Sequence, residues 1–399
     1  MKIVLPKRPP KFRFDRHIPI IVTLLLVIGV GYYFFSNKTT GLQKLITTIT
    51  AEKDKNLEEL NKIRTELETL KGEDQLKRNN ELQAEIQNIE KSYDKAVTIY
   101  EDLLDLKAKT KDTKTLDELF AKSLAHLAQR DFSAANASLT GLSTKIKEED
   151  TKLAASFTIP QSIPQSNAPP GSGYVRQQVQ TDTGSFMVSI IAADLGSTKV
   201  IVDTAADSDC SNECPTLPLA TYVSRTGAFA GVNGSYFCPA DYPSCAGKTN
   251  TYDLLAMNYK KTYFNSGNNV YSNNPAVIFG DSYIRFVSSA SQWGRDTSPN
   301  GVLSNYPLLV AGGNITFGGD DDPKKGSKGA RSFVANKGNT AFIGVVHNAT
   351  VAESARVMKS LGMENALNLD DGGSTALWSG GYKVGPGRNL PNVILFVRK

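Results

Sequence analysis

The sequence has few histidines and cysteines and carries little net charge. It contains 3 histidines, 4 cysteines and a formal net charge of +5 over 399 residues. Much of the positive excess lies in residues 1–17, a basic leader with Asp15 as its acidic residue. Its basic residues are Lys2, Lys7, Arg8, Lys11, Arg13 and Arg16. Because little excess positive charge is left for the rest of the chain, we predict no nucleic-acid partner.

Charged side chains are absent from residues 18–35, "IPIIVTLLLVIGVGYYFF". A helix of this length spans roughly 27 Å, close to the ~30 Å hydrocarbon core of a bilayer. The alternatives are a cleaved signal peptide and a buried helix. The aromatic end, Tyr32 to Phe35, and the lack of a small-x-small site favour a retained transmembrane helix. The positive-inside rule then predicts a single-pass cell-membrane protein with a cytoplasmic N-terminus and an extracytoplasmic head.

The cysteines fall beyond this segment, within one short region, as Cys210, Cys214, Cys238 and Cys245. In an extracytoplasmic location they are predicted to form disulfides. A zinc site is disfavoured because the spacing does not match usual ligand spacing and no histidine lies nearby. The sequence leaves all three pairings open.

The segment 42–107 lacks proline, and its apolar residues step by three and four, which is typical of a coiled coil. Two such stretches do not share a frame across Gly72 and Asp74, so a stutter or break is predicted there. They consist of Leu60, Ile63, Leu67 and Leu70, then Leu82, Ile86, Ile89, Tyr93, Ala96, Tyr100 and Leu103. Two amphipathic helices around "QRDF" complete a helical stalk over 36–153. The stalk is predicted to act as a spacer or to join copies into a homo-oligomer, and the alternative is a solvated helix without either role.

Residues 154–172 are rich in Pro, Ser and Gln and are predicted to be a linker to a head at 173–399. The head contains short β-rich segments between Gly, Asn and Asp, and one clear helix, "TVAESARVMKSLGME", which begins with a capping box. The predicted fold class is α+β: a mixed, largely antiparallel sheet head with a packed helix, preceded by a transmembrane helix and a coiled-coil stalk.

The run "ALNLDDGGSTALW", 366–378, interrupts strand-like sequence with two carboxylates, two glycines and two hydroxyls. A hairpin turn explains the glycines but not the other groups. Backbone N–H groups at Gly372 and Gly373 can approach an oxyanion closely, and Ser374 and Thr375 add donors. Asp370 is the candidate general acid or base.

Five ordered motifs carry a resemblance to a known family. They are "GVNGSYF" (231–237), "YPLLVAGG" (306–313), "ARSFVA" (330–335), "LGMENALNLDDGGSTAL" (361–377) and "GRNLPNVILFV" (387–397). In this order they resemble the phosphodiester glycosidase family over roughly residues 180–399, a family that includes many bacterial exopolysaccharide-associated proteins. The resemblance implies a carbohydrate phosphodiester substrate and hydrolysis of a sugar joined through its anomeric oxygen to the phosphodiester.

The resemblance also implies roles for single residues. Asn233 stands at the family's asparagine position and is predicted to hold the sugar or the phosphate. Arg331 offers a planar fork for phosphate, and Arg388 is either a phosphate contact or a solvated loop charge. His347 stands where the family usually has an acidic residue, so it is either a proton-transfer group or a polar residue before the helix cap.

Asp371 is a second departure, because the family usually has glycine after the first aspartate. It is predicted to attenuate phosphate binding or to act as a metal ligand. In a strand, Asp370 and Asp371 would point to opposite faces, so they are not the paired carboxylates of ordinary glycosidases. The sequence requires no cofactor and leaves open whether a divalent metal binds. The run Asp320 to Asp322 is predicted to lie in a solvated loop.

Together these features predict a membrane-anchored extracytoplasmic hydrolase that cleaves a sugar-1-phosphodiester in a surface glycan or sugar-phosphate polymer. Two alternatives remain. The head could be an inactive module that binds glycan or phosphate, or the protein could be an envelope scaffold in which the stalk is the primary element.

Overall fold

The computed structural model describes residues 18–267 and 273–399, so the predicted basic leader lies outside the described residues. The chain divides into two compact units, one ending at Gln87 and one running from Asn88 to Lys399. Helices dominate the first part of the chain and antiparallel strands the second, which confirms the predicted α+β class.

The first unit is helical. Helix α1 runs without interruption from Ile18 to Gly72, and α2 begins at Asp74 and ends at Lys107. The break between them lies where the sequence predicts a change of coiled-coil frame. Over Ile21–Gly72, α1 is long and apolar enough to cross a membrane, and its apolar side chains are exposed. By length and composition it is a candidate anchor or signal segment.

In the second unit, the end of α2 packs with α3 (Lys114–Ala128) and α4 (Phe132–Ser156). Asp131 caps α4, because its carboxylate accepts a hydrogen bond from the Ala134 N–H at 3.0 Å. Ala96 and Leu103, predicted as seam residues, are buried in this helical core. That part of the apolar seam is therefore covered within the chain by the two helices predicted around "QRDF".

The remainder of the second unit is built mainly from strands. In chain order, the strands are β1 (Gly173–Thr181), β2 (Gly184–Asp194), β3 (Thr198–Thr204), β4 (Ala230–Asn233), β5 (Ala256–Met257), β6 (Tyr263–Phe264), β7 (Ala276–Phe279), β8 (Ile284–Val287), β9 (Gly301–Ser304), β10 (Leu308–Ala311), β11 (Asn314–Ile315), β12 (Gly329–Lys337), β13 (Thr340–Ala349), β14 (Asn365–Asn368), β15 (Leu377–Ser379), β16 (Tyr382–Val384) and β17 (Asn392–Arg398). Short helices lie at α5 (Leu219–Thr226) and α6 (Pro323–Gly326).

These strands form three sheets. Within each sheet, neighbouring strands pair antiparallel. The first sheet has the order β1-β2-β13-β12-β14-β10-β11, the second β16-β15-β4-β17-β3 and the third β6-β5-β9-β7-β8. Apolar side chains from all three sheets meet in one core that includes Ile343, Ile394 and Phe279. The sheets therefore share one hydrophobic interior, which fixes their strand ends relative to each other.

Helix α7 (Val351–Ser360) packs on the first sheet and leads into β14. Thr350 accepts from the Glu353 N–H and Glu353 accepts from the Thr350 N–H, which confirms the predicted capping box. Val351, Ala355 and Met358 are buried against sheet residues. Gly362 then takes a φ of 69°, a conformation that favours glycine.

The cysteines form two disulfides, as predicted, and the structure resolves the pairing that the sequence left open. Cys210 bonds Cys214, and Cys238 bonds Cys245. Each pair is local in sequence and closes a short loop. The second of these loops lies beside the candidate active site.

Candidate active site

The site forms where the end of β4 meets the segment that follows β14. The Asp370 N–H donates to the Gly234 carbonyl at 2.9 Å, and the Asn233 amide nitrogen donates to the Asp370 carbonyl at 2.7 Å. The backbone of Asp370 is thus held on both sides by residues of another sheet. An added Cβ at Gly234 would lie 1.7 Å from the Asn392 side-chain oxygen, so the close packing of residue 234 against Asn392 requires glycine.

Asn233 is fully buried beneath this segment. Its side-chain oxygen accepts from the Ser332 hydroxyl at 2.8 Å and from the Ala376 N–H at 3.1 Å. The side-chain amide of Asn233 therefore links β4 to β12, to Asp370 at the start of the "DDGGST" run and to Ala376 just after it. Its contact with a sugar or phosphate stays a prediction, and its observed contacts are those of a residue that positions Asp370.

Asp370 lies on the wall of a cavity of about 720 Å³. Burial, together with the charge of the neighbouring Asp371, raises the pKa of its carboxyl to about 7. Ser374, Arg388 and the Asp371 N–H, which donates to Asp370 Oδ1 at 2.9 Å, lower the pKa in part. The Ser374 hydroxyl is buried beside the carboxyl, but its geometry falls short of a hydrogen bond. Asp370 can therefore gain or lose a proton near neutral pH.

Asp371 has a different environment from its neighbour. Its carboxylate accepts from Arg331 Nη1 at 3.1 Å, the Ser332 N–H at 3.0 Å and Asn368 Nδ2 at 3.0 Å. Burial raises the pKa of Asp371, while Arg331 opposes this effect. Protein donors therefore already occupy both carboxylate oxygens.

Arg331 is also buried, and protein acceptors surround its guanidinium. Besides Asp371, it donates to the carbonyls of Ala349 at 3.0 Å, Lys324 at 2.9 Å and Ser327 at 2.5 Å. These contacts tie β12, β13 and the loop around α6 to the segment that follows β14. Arg331 lines the cavity, but most of its donors are engaged, so its predicted phosphate contact stays a prediction.

The "GGST" part of the run forms a short 3-10 turn, Gly372–Ser374, rather than a hairpin. Gly372 has a φ of 57°, and both glycines line the cavity. A Cβ at Gly373 would lie 2.6 Å from Arg388 Nη2, so the absence of a side chain lets the guanidinium pack on the turn. Ser374 and Thr375 are buried behind this surface, so their predicted donation to a ligand stays untested.

Arg388 is held from the other side by the loop that the Cys238–Cys245 disulfide closes. Its Nη2 lies 3.5 Å from Asp241 Oδ2, and its guanidinium carbon lies 5.3 Å from the centre of the Tyr242 ring. The Arg388 N–H donates to the Gly373 carbonyl at 2.8 Å. These contacts hold a partly exposed cation at the cavity, close enough to lower the pKa of Asp370.

His347 lines the same cavity. Its Nε2 lies 2.9 Å from the Ser189 hydroxyl oxygen, and Arg176 Nε donates to that oxygen at 3.3 Å. Burial and the charge of Arg176 lower the pKa of His347 to about 4. The imidazole is therefore neutral at neutral pH, and a predicted proton transfer by His347 would start from that form.

The structure thus brings Asp370, Asp371, Arg331, Arg388, His347, Gly372 and Gly373 to one cavity. Sequence reasoning missed the polar residues that support them. Asn368 and Asn305 are buried asparagines, and Asn305 donates to the Asn368 carbonyl at 2.8 Å. The Tyr236 hydroxyl oxygen accepts from Asn368 Nδ2 at 2.9 Å. Asparagines at the ends of apolar strands were the available signal.

Within residues 18–267 and 273–399, no group of three or more His, Cys, Asp or Glu side chains is placed to hold a metal ion. Asp371, the residue that the sequence analysis offered as a metal ligand, has the protein donors described above.

Residues 226–397 match the phosphodiester glycosidase family. The resemblance drawn from the five motifs is confirmed over that range, which contains both aspartates, Arg331, His347 and Arg388. The match supports a hydrolase-type function for this domain.

Solved structures that resemble the chain include the catalytic domain of zebrafish N-acetylglucosamine-1-phosphodiester alpha-N-acetylglucosaminidase. It is 16% identical, with a TM-score of 0.45, and the match covers 60% of this chain and 87% of that one. A hypothetical protein from Synechocystis is 15% identical, with a TM-score of 0.40 and coverage of 56% and 62%. The chain thus spans less than two thirds of the Synechocystis protein. The comparison with curated proteins found no match.

Proposed function

We propose that the chain is a membrane-anchored extracytoplasmic phosphodiester glycosidase that hydrolyses a sugar-1-phosphodiester in a surface glycan or sugar-phosphate polymer. The family match over residues 226–397 supports the reaction class. The long apolar helix α1 and the two disulfides support the location outside the cytoplasm.

The observation that carries this proposal is the environment of Asp370. Its backbone is fixed by Asn233 and Gly234, its carboxyl lines the cavity, and burial raises its pKa to about 7. A general acid or base works best when its pKa lies near the working pH. Asp370 therefore serves as the proton-transfer group, acting on the attacking water or on the oxygen of the breaking bond.

Arg388 supplies the positive charge that a phosphodiester needs. Its guanidinium packs against Gly373 at the cavity, within electrostatic reach of Asp370. Arginine presents a planar set of donors that suits phosphate oxygens. In this arrangement Arg388 holds the phosphodiester while Asp370 transfers the proton.

Release of free sugar from a panel of sugar-1-phosphodiesters tests the proposal, with the full chain purified in detergent. Asp370→Asn keeps the size of the side chain but removes proton transfer, so we expect kcat to fall about 10²- to 10⁴-fold with little change in substrate binding. Asp321→Asn, in an exposed loop, is the matched control. Binding of the substrates without release by the unsubstituted chain would instead indicate a binding module.

A further inference from the structure

One wall of the active-site cavity comes from outside the matched family region. Helix α2 contributes Glu101 and Asp105 to its lining, and α4 contributes Asp150 and Leu153. Lys109 follows shortly after α2, and Phe157 follows directly after α4. All of these residues belong to the same compact unit as the phosphodiester glycosidase domain. The helices that the sequence assigns to a stalk therefore face the same space as Asp370.

Hydrogen bonds attach this helical wall to segments around the site. The Ser244 N–H donates to Glu101 Oε1 at 3.0 Å, and the Tyr242 hydroxyl donates to Asp105. On the other helix, the Ala154 carbonyl accepts from Asn348 Nδ2 at 2.9 Å, next to His347 in sequence. The wall is thus joined to the loop that holds Arg388 and to the end of β13.

The lysines around the cavity are paired with carboxylates. Lys109 Nζ lies 2.5 Å from Asp150 Oδ1, and Lys324 Nζ lies 3.5 Å from Asp105 Oδ2. The others are Lys325, paired with Asp320 and Asp322, and Lys328, paired with Glu353. Because each positive charge is balanced locally, this side of the cavity offers little attraction to a second phosphate.

The same wall suits a neutral ligand that is rich in hydroxyl groups. The Lys109 and Asp150 side chains are 29% and 22% exposed. Lys109 Nζ also donates to the Lys328 carbonyl at 3.0 Å, so the pair presents one remaining donor and an acceptor to the cavity. Leu153 and Phe157 add apolar surface beside the pair, and Tyr306 contributes another ring to the lining. A few polar groups set among apolar and aromatic surface are typical of small-molecule sites.

We propose that the wall formed by α2 and α4 is a saccharide subsite of the phosphodiester glycosidase site, which binds a neutral sugar extension of the substrate. The preferred substrate would then carry further neutral sugar residues on one side of the phosphodiester, as in a glycan chain. The identity of the scissile bond in this inference rests on the proposed function. The binding of a neutral sugar to the wall does not.

The test compares three esters with the same scissile bond, using the full chain in detergent. One is the methyl phosphodiester of a single sugar, and the other two carry a neutral trisaccharide on the phosphate or on the glycosyl side. In Asp150→Ala, we expect the kcat/KM of one extended ester, divided by that of the methyl ester, to fall about tenfold, mainly through KM. Glu149→Ala, in an exposed ion pair with Lys152 on the same helix, is the matched control and should leave the ratio unchanged.

An unchanged ratio in Asp150→Ala for both extended esters would overturn the subsite, whether the individual rates stay the same or fall together. If the unsubstituted chain hydrolyses none of the esters, the proposed function fails, and calorimetry with the neutral trisaccharide decides the subsite separately. Binding that Asp150→Ala weakens would support it. Absence of binding would overturn it.

Discussion

Asp370 and Asp371 are adjacent in the chain, yet their carboxylates contact different partners. Asp371 bonds Arg331 and two other donors, whereas Asp370 lies at the cavity beside Ser374 and Arg388. The extra aspartate, predicted to attenuate phosphate binding or to act as a metal ligand, thus has a buried cation beside it. Burial raises the pKa of both carboxyls, to about 7 for Asp370, and Arg331 opposes the rise at Asp371.

The raised pKa of Asp370 predicts an effect on stability. A carboxyl with a pKa of about 7 in the folded state, against 3.8 ordinarily, holds its proton more tightly when folded. The free energy of unfolding should therefore fall as the pH rises from about 4 to about 7. Asp370→Asn cannot ionise, so its stability relative to the unsubstituted chain should rise across that window by at most about 4 kcal/mol.

Urea unfolding at several pH values between about 4 and about 8 measures this difference. Asp321→Asn serves again as the control, because its side chain lies in an exposed loop. A constant difference between Asp370→Asn and the unsubstituted chain would show that Asp370 does not have a raised pKa.

The buried pair of Arg331 and Asp371 predicts a large loss of stability when one partner is removed. Their side chains are 7% and 9% exposed. Asp371→Ala leaves the guanidinium buried without its carboxylate, which should lower the free energy of unfolding by about 3–5 kcal/mol. Removing both charges, as Asp371→Ala with Arg331→Met, should cost less than the sum of the single changes.

An exposed ion pair gives the comparison for this prediction. Asp182 pairs with Arg356 and is 66% exposed, so Asp182→Ala should cost less than about 1 kcal/mol. Equal losses for Asp371→Ala and Asp182→Ala in urea unfolding would mean that the buried pair does not stabilise the site.

At the scale of elements, the loop closed by Cys238 and Cys245 positions Arg388, the candidate phosphate-binding residue. Asp241 and Tyr242 in this loop both contact Arg388. Replacing both cysteines by serine should free the loop and weaken an ion pair and a cation–π contact, each worth up to about 1 kcal/mol. We expect KM for a sugar-1-phosphodiester to rise about 2- to 10-fold, with a smaller change in kcat.

The other disulfide, Cys210–Cys214, offers the matched control. Its residues do not line the cavity, so the Cys210→Ser and Cys214→Ser double variant should keep the KM of the unsubstituted chain. Equal rises of KM in the two double variants would indicate a general effect on folding rather than a role in holding Arg388.

Local signals explain which elements could be predicted from the sequence. The capping box of Thr350 and Glu353 fixes the start of α7, and Gly312 and Gly313 form the turn between β10 and β11. Long apolar runs likewise indicate strands such as β2 and β17. The strands β1, β4, β5, β6, β9 and β16 carry no such signal, because they are polar, very short or rich in glycine.

The part of the site that could not be predicted from the sequence depends on contacts between distant parts of the chain. Asp371 meets Arg331 across 40 positions, and Tyr242 meets Asp105 across 137. Periodicity describes one element at a time, so it shows that α2 has an apolar seam but not which surface covers it. The motif residues could be found by resemblance, whereas the helical wall required the tertiary structure.

At the scale of the whole molecule, the first unit has an apolar side-chain pattern with no function in the proposed chemistry. Leu60, Ile63, Leu67 and Leu70 are between 49% and 64% exposed on α1, at the spacing of a coiled coil. Burying such side chains is worth about 1.5–3 kcal/mol each. We therefore predict that a second copy of the chain covers them in a homo-oligomer.

Sedimentation of the full chain in detergent measures this association, with Leu60→Glu and Leu67→Glu introduced together to disrupt it. The variant should sediment as a monomer, because two carboxylates at seam positions would have to be buried in the oligomer. Sugar release per chain should not change, since the cavity belongs to the unit from Asn88 to Lys399. Lys62→Glu changes an exposed charge on the same helix and should leave the oligomer intact. A monomeric unsubstituted chain would leave the first unit with the role of a spacer, and a loss of sugar release on dissociation would mean that the site needs the partner copy.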